Sequence, residues 1–153
     1  MPQHPAFAEG RTAVITGGAS GIGLGAAKRF AALGMKICLA DLSQEALDRA
    51  AEQLSAARVL TVPTDVSKMD EVQRLKERVY ADFGEVAVLM NNAGTSPGGG
   101  PWDHYERWQR VLSVNLWGRH QRRARLYPGD DRPEHALRDR QHGLETGHHL
   151  PAR

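Results

Sequence analysis

Short runs of β-branched and aliphatic residues alternate along the chain with segments whose apolar positions recur at helical spacing. The apolar runs lie at 12–17, 36–41, 59–66 and 86–90, and they are nearly continuous rather than alternating. Strands that are buried on both faces of a sheet have this composition. The pattern therefore predicts four buried strands.

Helical periodicity fills the interval after each of these runs. Apolar residues recur every three or four positions over 21–34, 43–57, 67–83 and about 103–117. Ser43 is a predicted N-cap, and Ser67 followed three residues later by Asp70 resembles a capping box. Four strands alternating with four helices predict an α/β fold built on a doubly wound parallel sheet.

A glycine-rich turn, TGGASGIG, lies between the first predicted strand and the first predicted helix. Gly17 permits a sharp exit from the strand, Gly21 lets the backbone approach a pyrophosphate, and Gly23 allows the helix to pack closely on the strand. The helix N-terminus offers free N–H groups to an anion. Glycines required only for a tight turn are the alternative. The strand–turn–helix context favours dinucleotide binding. The expected fold is a Rossmann-type unit with strand order 3-2-1-4.

Two acidic residues follow the second and third predicted strands. Asp41 lies 18 residues past Gly23, where a carboxylate binds both ribose hydroxyls of adenosine and repels a 2′-phosphate, so NAD is favoured over NADP. Asp41 could instead only start the turn before Ser43. Asp65 could accept a hydrogen bond from the adenine amino group, or serve as a turn residue beside Ser67.

Four motifs occur in a defined order: TGGASGIG at 16–23, DV at 65–66, NNAG at 91–94 and VNLWG at 114–118. Together they resemble the short-chain dehydrogenase/reductase family, in its classical branch, over about residues 11–118. The resemblance implies that the Rossmann-type unit is truncated, because nothing after Gly118 resembles the family's remaining strands. The resemblance implies an NAD(P)-dependent oxidoreductase that acts on small-molecule alcohols and ketones. With Asp41, the expected cofactor is NAD.

The resemblance also implies roles for individual residues. Asn91 and Asn92 would stabilise the central sheet, and Ile22 would offer a backbone N–H near the phosphates. Asn115, otherwise only a polar residue in a helix, would be catalytic, since a local helix bend there holds a proton-relay water. The predicted cofactor-binding residues are Gly17, Ser20, Gly21, Ile22, Gly23, Asp41, Asp65, Val66, Asn92, Ala93 and Gly94.

The proton donor that the resemblance implies is missing from the sequence. The family uses a Tyr-x-x-x-Lys pair, in which the lysine lowers the pKa of the tyrosine, together with a serine that polarises the substrate. The positions four residues after Tyr80, Tyr105 and Tyr127 hold Gly, Gln and Asp, and the last lysine is Lys76. We therefore expect the chain as it stands to be catalytically inactive.

The composition changes sharply at Gly118. Residues 1–118 contain 12 Lys and Arg against 13 Asp and Glu, whereas residues 119–153 contain 8 Arg, no Lys, 5 acids and 5 of the 7 His. The second segment has no Ile, Val, Phe or Met, so it can bury little apolar surface. The predicted organisation is an N-terminal tail at 1–10, a Rossmann-type unit at 11–118, and an Arg/His-rich tail at 119–153 that is disordered or irregular.

Three other interpretations of the 119–153 tail remain open. A metal site is disfavoured because His148 and His149 are adjacent and no ligand spacing is present. RHQRRAR could grip nucleic-acid phosphates, but the following aspartates dilute its charge, so nucleic acid is not an expected partner. In a shifted reading frame, the codons permit a helix, a linker and a strand that ends at a serine, similar to the family's continuation. We hypothesise a one-base insertion near codon 118, which the nucleotide sequence would test.

The remaining features concern compartment and assembly. The chain has one cysteine, Cys38, no signal peptide and no apolar run of 18 residues, so a cytoplasmic protein without membrane contact is expected. The resemblance places the family's dimer surface on helices that this sequence lacks, so the usual homo-oligomer is not expected. The alternatives to an oxidoreductase are a non-catalytic NAD-binding fragment and a basic-tail interaction protein.

Overall fold

The computed structural model describes residues 4–54, 57–96, 105–119 and 126. A 3₁₀ turn at Pro5–Phe7 comes first. The elements then follow in the order β1 (Thr12–Thr16), α1 (Gly21–Ala32), β2 (Lys36–Asp41), α2 (Gln44–Glu52), β3 (Val59–Pro63), α3 (Met69–Phe83), β4 (Val88–Asn91) and α4 (Tyr105–Leu112). A π-helical segment, Ser113–Trp117, continues α4.

The four strands form one parallel sheet in the order β3-β2-β1-β4. Val14 of β1 lies opposite Cys38 of β2 on one side and Leu89 of β4 on the other. All five residues of β1 are buried, as a strand covered on both faces requires. The predicted fold class and strand order are confirmed.

Each face of the sheet has its own hydrophobic core. Ile15 and Leu39 pack with Leu47 of α2 on one face, and Val14 packs with Leu75 of α3 on the other. Leu126 is helical and fully buried in the second core. This arrangement leaves the ends of the strands free to carry loops.

Cys38 lies inside the second core, on β2. Burial, followed by the negative charge of Asp82, raises the pKa of its thiol to about 12. The thiol is therefore neutral at physiological pH, as expected for a buried structural cysteine.

Several element boundaries differ from the sequence-based predictions. The third strand ends at Pro63 rather than at residue 66, and the second helix ends at Glu52 rather than near residue 57. The last helix changes from α to π geometry at Ser113. At the N-terminus, Phe7 stacks on Phe30 with ring centroids 5.8 Å apart, so part of the predicted 1–10 tail packs against the fold. Most of the 119–153 tail lies outside the described residues.

Candidate functional site

A cleft of about 380 Å³ opens where the four strands end. Its walls come from the loops that follow the strands and from one side of α4 and the π-helical segment. The lining residues are Gly17, Ser20, Gly21, Ile22, Asp41, Leu42, Thr64, Asp65, Val66, Asn92, Ala93, Gly94, Thr95, Arg110 and Val114. In open α/β sheets, ligands bind in this crevice beyond the carboxyl ends of the strands.

The turn after β1 has a shape that only glycine permits. Gly17 and Gly21 have φ values of 64° and 52°, in the left-handed region. A Cβ added at Gly23 would lie 2.1 Å from the Gly17 carbonyl oxygen, and one added at Gly17 would lie 2.8 Å from the Ala93 Cα. Gly23 therefore lies beneath the turn rather than in the cleft lining, and keeps α1 close to β1.

The N-terminus of α1 faces this turn without a side-chain cap. Ser20 is the N-cap residue, but its side chain makes no capping hydrogen bond. Ser20, Gly21 and Ile22 all line the cleft, and a Cβ at Gly21 would meet nothing within 4 Å. Free helix N–H groups beside open space suit a phosphate group.

Asp41 ends β2 with its carboxylate fixed by two backbone donors. Its Oδ2 accepts a hydrogen bond from the Ala19 N–H at 3.1 Å, and its Oδ1 accepts one from the Leu42 N–H at 2.8 Å. Each carboxylate oxygen has two lone pairs and so keeps capacity for a further donor. The carboxylate therefore holds the turn and also lines the cleft.

Asp65 follows β3 and forms a turn with Ser67. Its Oδ1 accepts hydrogen bonds from the Ser67 N–H at 3.0 Å and the Ser67 hydroxyl at 2.6 Å. Desolvation tends to raise the pKa of Asp65, but these hydrogen bonds and the charges of Lys68 and Arg110 outweigh it and lower the pKa. Asp65 is therefore held as a carboxylate at the wall of the cleft.

The predicted capping box at Ser67 and Asp70 is wrong. The N-cap of α3 is Lys68, and no side chain caps it. The Ser67 hydroxyl is already engaged by Asp65, and Glu71, not Asp70, reaches back to the preceding loop.

The loop after β4 is bonded directly to the glycine turn. Asn92 Nδ2 donates to the Gly17 carbonyl oxygen at 2.9 Å, and the Ala93 N–H donates to Thr16 Oγ1 at 3.2 Å. Asn91 is the last residue of β4 and pairs with Thr16 across the sheet. The glycine turn and the NNAG loop thus form one bonded unit.

Asn115 lies in the middle of the π-helical segment and is not itself in the cleft lining. Its Nδ2 donates to the Thr95 carbonyl oxygen at 2.8 Å, and its Oδ1 accepts from the Thr95 N–H at 2.9 Å. A single side chain therefore fixes both backbone groups of a residue that does line the cleft. π-Helical turns inside α-helices occur frequently at functional sites.

Five lining residues were not predicted from the sequence: Leu42, Thr64, Thr95, Arg110 and Val114. Arg110 and Val114 are four positions apart, so they share one helix face. This spacing is the signal that could have identified them. Arg110 adds positive charge near Asp65. Thr95 carries no signal of its own, because its role depends on its partner Asn115 in the π-helical segment.

The described ranges contain neither a metal-binding cluster nor a membrane-spanning helix. Within residues 4–54, 57–96, 105–119 and 126, no group of three His, Cys, Asp or Glu residues could hold a metal ion. Within the same ranges, no helix has the length and apolar character needed to cross a bilayer. The histidines of 120–153 lie outside the described residues.

The parallel sheet, the glycine turn and the cleft define a Rossmann-type nucleotide-binding unit. The sequence model of the short chain dehydrogenase family matches residues 11–127. The chain belongs to this family, as its motifs predicted.

Individual relatives agree with this assignment. The chain is 44% identical over 112 residues to 1-deoxy-11-beta-hydroxypentalenate dehydrogenase of Streptomyces arenae, an alignment that covers 70% of this chain and 40% of the relative. A short chain dehydrogenase/reductase of Burkholderia phymatum, solved with NAD, is 41% identical, with a TM-score of 0.73 over 77% of this chain and 43% of that one.

L-Sorbose reductase of Gluconobacter frateurii, solved with NADPH and L-sorbose, is similar with 35% identity and a TM-score of 0.75. That alignment covers 80% of this chain and 48% of the reductase. The chain thus spans less than half the length of these three proteins. The solved structures hold NAD in one case and NADPH in the other, so they do not distinguish the two cofactors.

Proposed function

We propose that this chain binds NAD in the cleft at the carboxyl ends of its strands. The observation that carries the proposal is that the glycine turn, the uncapped N-terminus of α1 and the Asp41 carboxylate all line one cleft. The open space above Gly21 has room for a phosphate, and the helix N-terminus supplies donors without a competing side chain.

Each part of the cleft suits one part of the dinucleotide. The turn from Gly17 to Ile22 would bind the pyrophosphate, and Asp41 would accept from the adenosine ribose hydroxyls. Asp65 and Val66 would contact the adenine, and the loop from Asn92 to Thr95 would form the floor. Asn115 would act through Thr95, whose backbone it fixes.

The preference for NAD over NADP rests on Asp41. Its carboxylate lines the cleft and is held in place by the N–H groups of Ala19 and Leu42. A 2′-phosphate on the ribose would approach this fixed negative charge, and like charges repel strongly where water is partly excluded. The repulsion disfavours NADP, whereas the ribose hydroxyls of NAD supply donors to the same oxygens.

NAD, when bound, accepts or supplies a hydride, and the full-length relatives carry the names of dehydrogenases and a reductase. We propose the same class of activity, on a small alcohol or ketone, for a protein that contains this unit together with a proton donor. The 153 residues contain no Tyr-x-x-x-Lys segment. Our second proposal is therefore that this chain alone binds the dinucleotide without turnover.

Isothermal titration of the purified chain with NAD and NADP tests the first proposal. We expect tighter binding of NAD than of NADP. Asp41→Asn should reduce the ratio of the NADP and NAD dissociation constants by about tenfold, or about 1.4 kcal/mol. Asp48→Asn is the matched control, since Asp48 is an exposed acid on α2 that bonds Gln44 and lies outside the cleft lining. Tighter binding of NADP by the unsubstituted chain would refute the role of Asp41.

A separate assay tests the second proposal. The chain is incubated with NADH and a panel of small ketones, and absorbance at the reduced nicotinamide band is followed. We expect no oxidation above the rate without protein. Protein-dependent oxidation that matches alcohol formation would contradict the proposed lack of turnover, while leaving the binding proposal intact.

A further inference from the structure

The loop between β3 and α3 is held by an acid that lies six residues further along the chain. Glu71 Oε2 accepts a hydrogen bond from the Asp65 N–H at 2.6 Å. Its other oxygen, Oε1, accepts one from Lys68 Nζ at 3.0 Å. Glu71 therefore bonds the backbone of a residue that lines the cleft.

Two neighbouring acids in the first turn of α3 differ in orientation. The Glu71 side chain is 21% exposed, whereas that of Asp70 is 71% exposed and pairs outward with Arg74 at 2.9 Å. The hydrogen bond from Asp65, followed by that from Lys68, lowers the pKa of Glu71. Glu71 thus faces the loop as a carboxylate, and Asp70 faces solvent.

Hydrogen bonds consequently hold both the backbone and the side chain of Asp65. Glu71 holds its backbone N–H, and Ser67 occupies its Oδ1 with two hydrogen bonds. Its Oδ2 accepts no hydrogen bond from the described residues and forms only a long ion pair with Lys68 Nζ, at 3.9 Å. One oxygen of a well-positioned carboxylate at the cleft wall is left for a donor from a ligand.

We propose that Glu71 is a positioning residue that aims Oδ2 of Asp65 at the exocyclic amino group of the adenine, and so sets the base preference of the site. This inference rests on the proposed NAD binding. Loss of Glu71 would leave the Asp65 N–H without its partner, and the turn that carries the carboxylate would no longer have a single position.

The choice of base provides a readout that general destabilisation does not move. Nicotinamide hypoxanthine dinucleotide carries a carbonyl oxygen where NAD carries the amino group. A carboxylate accepts from an amino group but repels a carbonyl oxygen, since both are acceptors. The ratio of the two dissociation constants therefore reports the placement of Asp65, whereas weaker folding would change both constants together.

The experiment measures that ratio by calorimetry for the full chain and four variants. We expect the unsubstituted chain to prefer NAD by about tenfold, the ratio that one charge-assisted hydrogen bond supports. Asp65→Asn should abolish the preference, and Glu71→Ala should reduce it at least about threefold. Glu71→Gln should restore part of it, because the amide oxygen can accept from the Asp65 N–H. Asp70→Asn, which removes the neighbouring outward charge, should leave the ratio unchanged.

The outcomes separate the two proposals. If the unsubstituted chain binds neither dinucleotide, the proposed function fails and this inference fails with it. If it binds NAD but Glu71→Ala weakens both dinucleotides equally, or leaves both unchanged, only the positioning role is refuted. Circular dichroism and a thermal melt check that each variant folds. If Glu71→Ala does not fold, Glu71→Gln is compared with Asp70→Asn instead. A weaker preference for NAD in Glu71→Gln than in Asp70→Asn supports the positioning role, and equal preferences refute it.

Discussion

The turn after β1 and the loops after β3 and β4 border the same cleft but are built differently. In the turn, the shape is a property of the backbone: Gly17 and Gly21 adopt left-handed φ angles, and Gly23 packs where a Cβ has no room. In the loops, side chains from elsewhere fix the backbone, as Asn115 does for Thr95 and Glu71 does for Asp65.

The difference determines how each region responds to substitution. A turn whose shape requires glycine can accommodate an added Cβ only by moving main chain, because the contact is with main chain. In a loop held by side-chain hydrogen bonds, removal of one bond lowers the free energy of unfolding by about 1 kcal/mol. The loop otherwise keeps its path.

Gly23→Ala should destabilise the fold by about 2–3 kcal/mol, in the range of overpacked interiors. The added Cβ would lie 2.1 Å from the Gly17 carbonyl oxygen and 2.7 Å from Asn92 Nδ2, so the turn or α1 must move. We also expect NAD binding to be lost. Urea unfolding followed by circular dichroism measures the first effect, and calorimetry measures the second.

Gly25→Ala is the matched control, two residues further along α1. A Cβ at Gly25 would meet nothing within 4 Å, so alanine should stabilise the helix by about 0.5–1 kcal/mol. Equal destabilisation by both substitutions would show that alanine is unfavourable throughout the first turn of α1, so that the close contact at Gly23 is not the cause.

The same contrast explains what could be predicted from the sequence. Left-handed turns and close packing restrict a position to glycine, so the motif TGGASGIG alone predicts the shape of the turn. The parallel sheet is predicted by the nearly continuous apolar runs of the buried strands. A side-chain hydrogen bond leaves no such restriction. The bond from Asn115 to Thr95 spans 20 residues and depends on the path of α4, which the local sequence does not specify.

The capping prediction failed by one position for a related reason. Asp70 and Glu71 are adjacent acids, and the motif spacing alone favoured Asp70 after Ser67. Helical geometry favours the other residue, since Glu71 lies one turn before Leu75, on the buried side of α3. The buried face of the helix, and not the distance from a serine, decides which acid reaches the loop.

Asn115→Ala should lower the free energy of unfolding by about 2 kcal/mol, because two hydrogen bonds to the Thr95 backbone are lost. Exchange of the Thr95 amide hydrogen should accelerate at the same time, since this N–H loses its acceptor. Urea unfolding and amide exchange by NMR measure the two effects.

Ser113→Ala serves as the control for Asn115, two residues before it in the π-helical segment. Among the described residues, the Ser113 hydroxyl makes one solvent-exposed hydrogen bond, to the Arg110 carbonyl oxygen, so the change should stay within about 0.5 kcal/mol. If Thr95 exchange is unaffected by Asn115→Ala, the loop after β4 does not depend on this side chain.

Thr12→Val should stabilise the protein by about 1 kcal/mol. The Thr12 hydroxyl is fully buried at the start of β1 and has no hydrogen-bond partner among the described residues, so valine removes an unsatisfied polar atom at nearly constant volume. Thermal unfolding of the variant measures the gain.

Thr16→Val, at the other end of β1, should have the opposite sign. Thr16 is equally buried, but its Oγ1 accepts from the Ala93 N–H and donates to the Met90 carbonyl oxygen. Its loss should destabilise the protein by about 1–2 kcal/mol. A stabilising Thr16→Val would mean that the loop after β4 is held without this hydroxyl.

Glu71→Gln should flatten the acid limb of the stability curve, the smallest of these effects. The pKa values of both Asp65 and Glu71 are lowered in the folded protein, so the unfolded chain takes up their protons first as the pH falls. Their contribution to stability is therefore complete above the unfolded values of about 3.9 and 4.3, and disappears as the pH falls through the folded values. Glutamine cannot titrate, so the variant should lose less stability than the unsubstituted chain between about pH 5 and pH 2.

Glu77→Gln controls for the loss of one negative charge, because Glu77 is an exposed acid on the same helix that bonds Gln73. Parallel acid limbs for Glu71→Gln and the unsubstituted chain would show that the loop after β3 does not depend on the ionised form of Glu71.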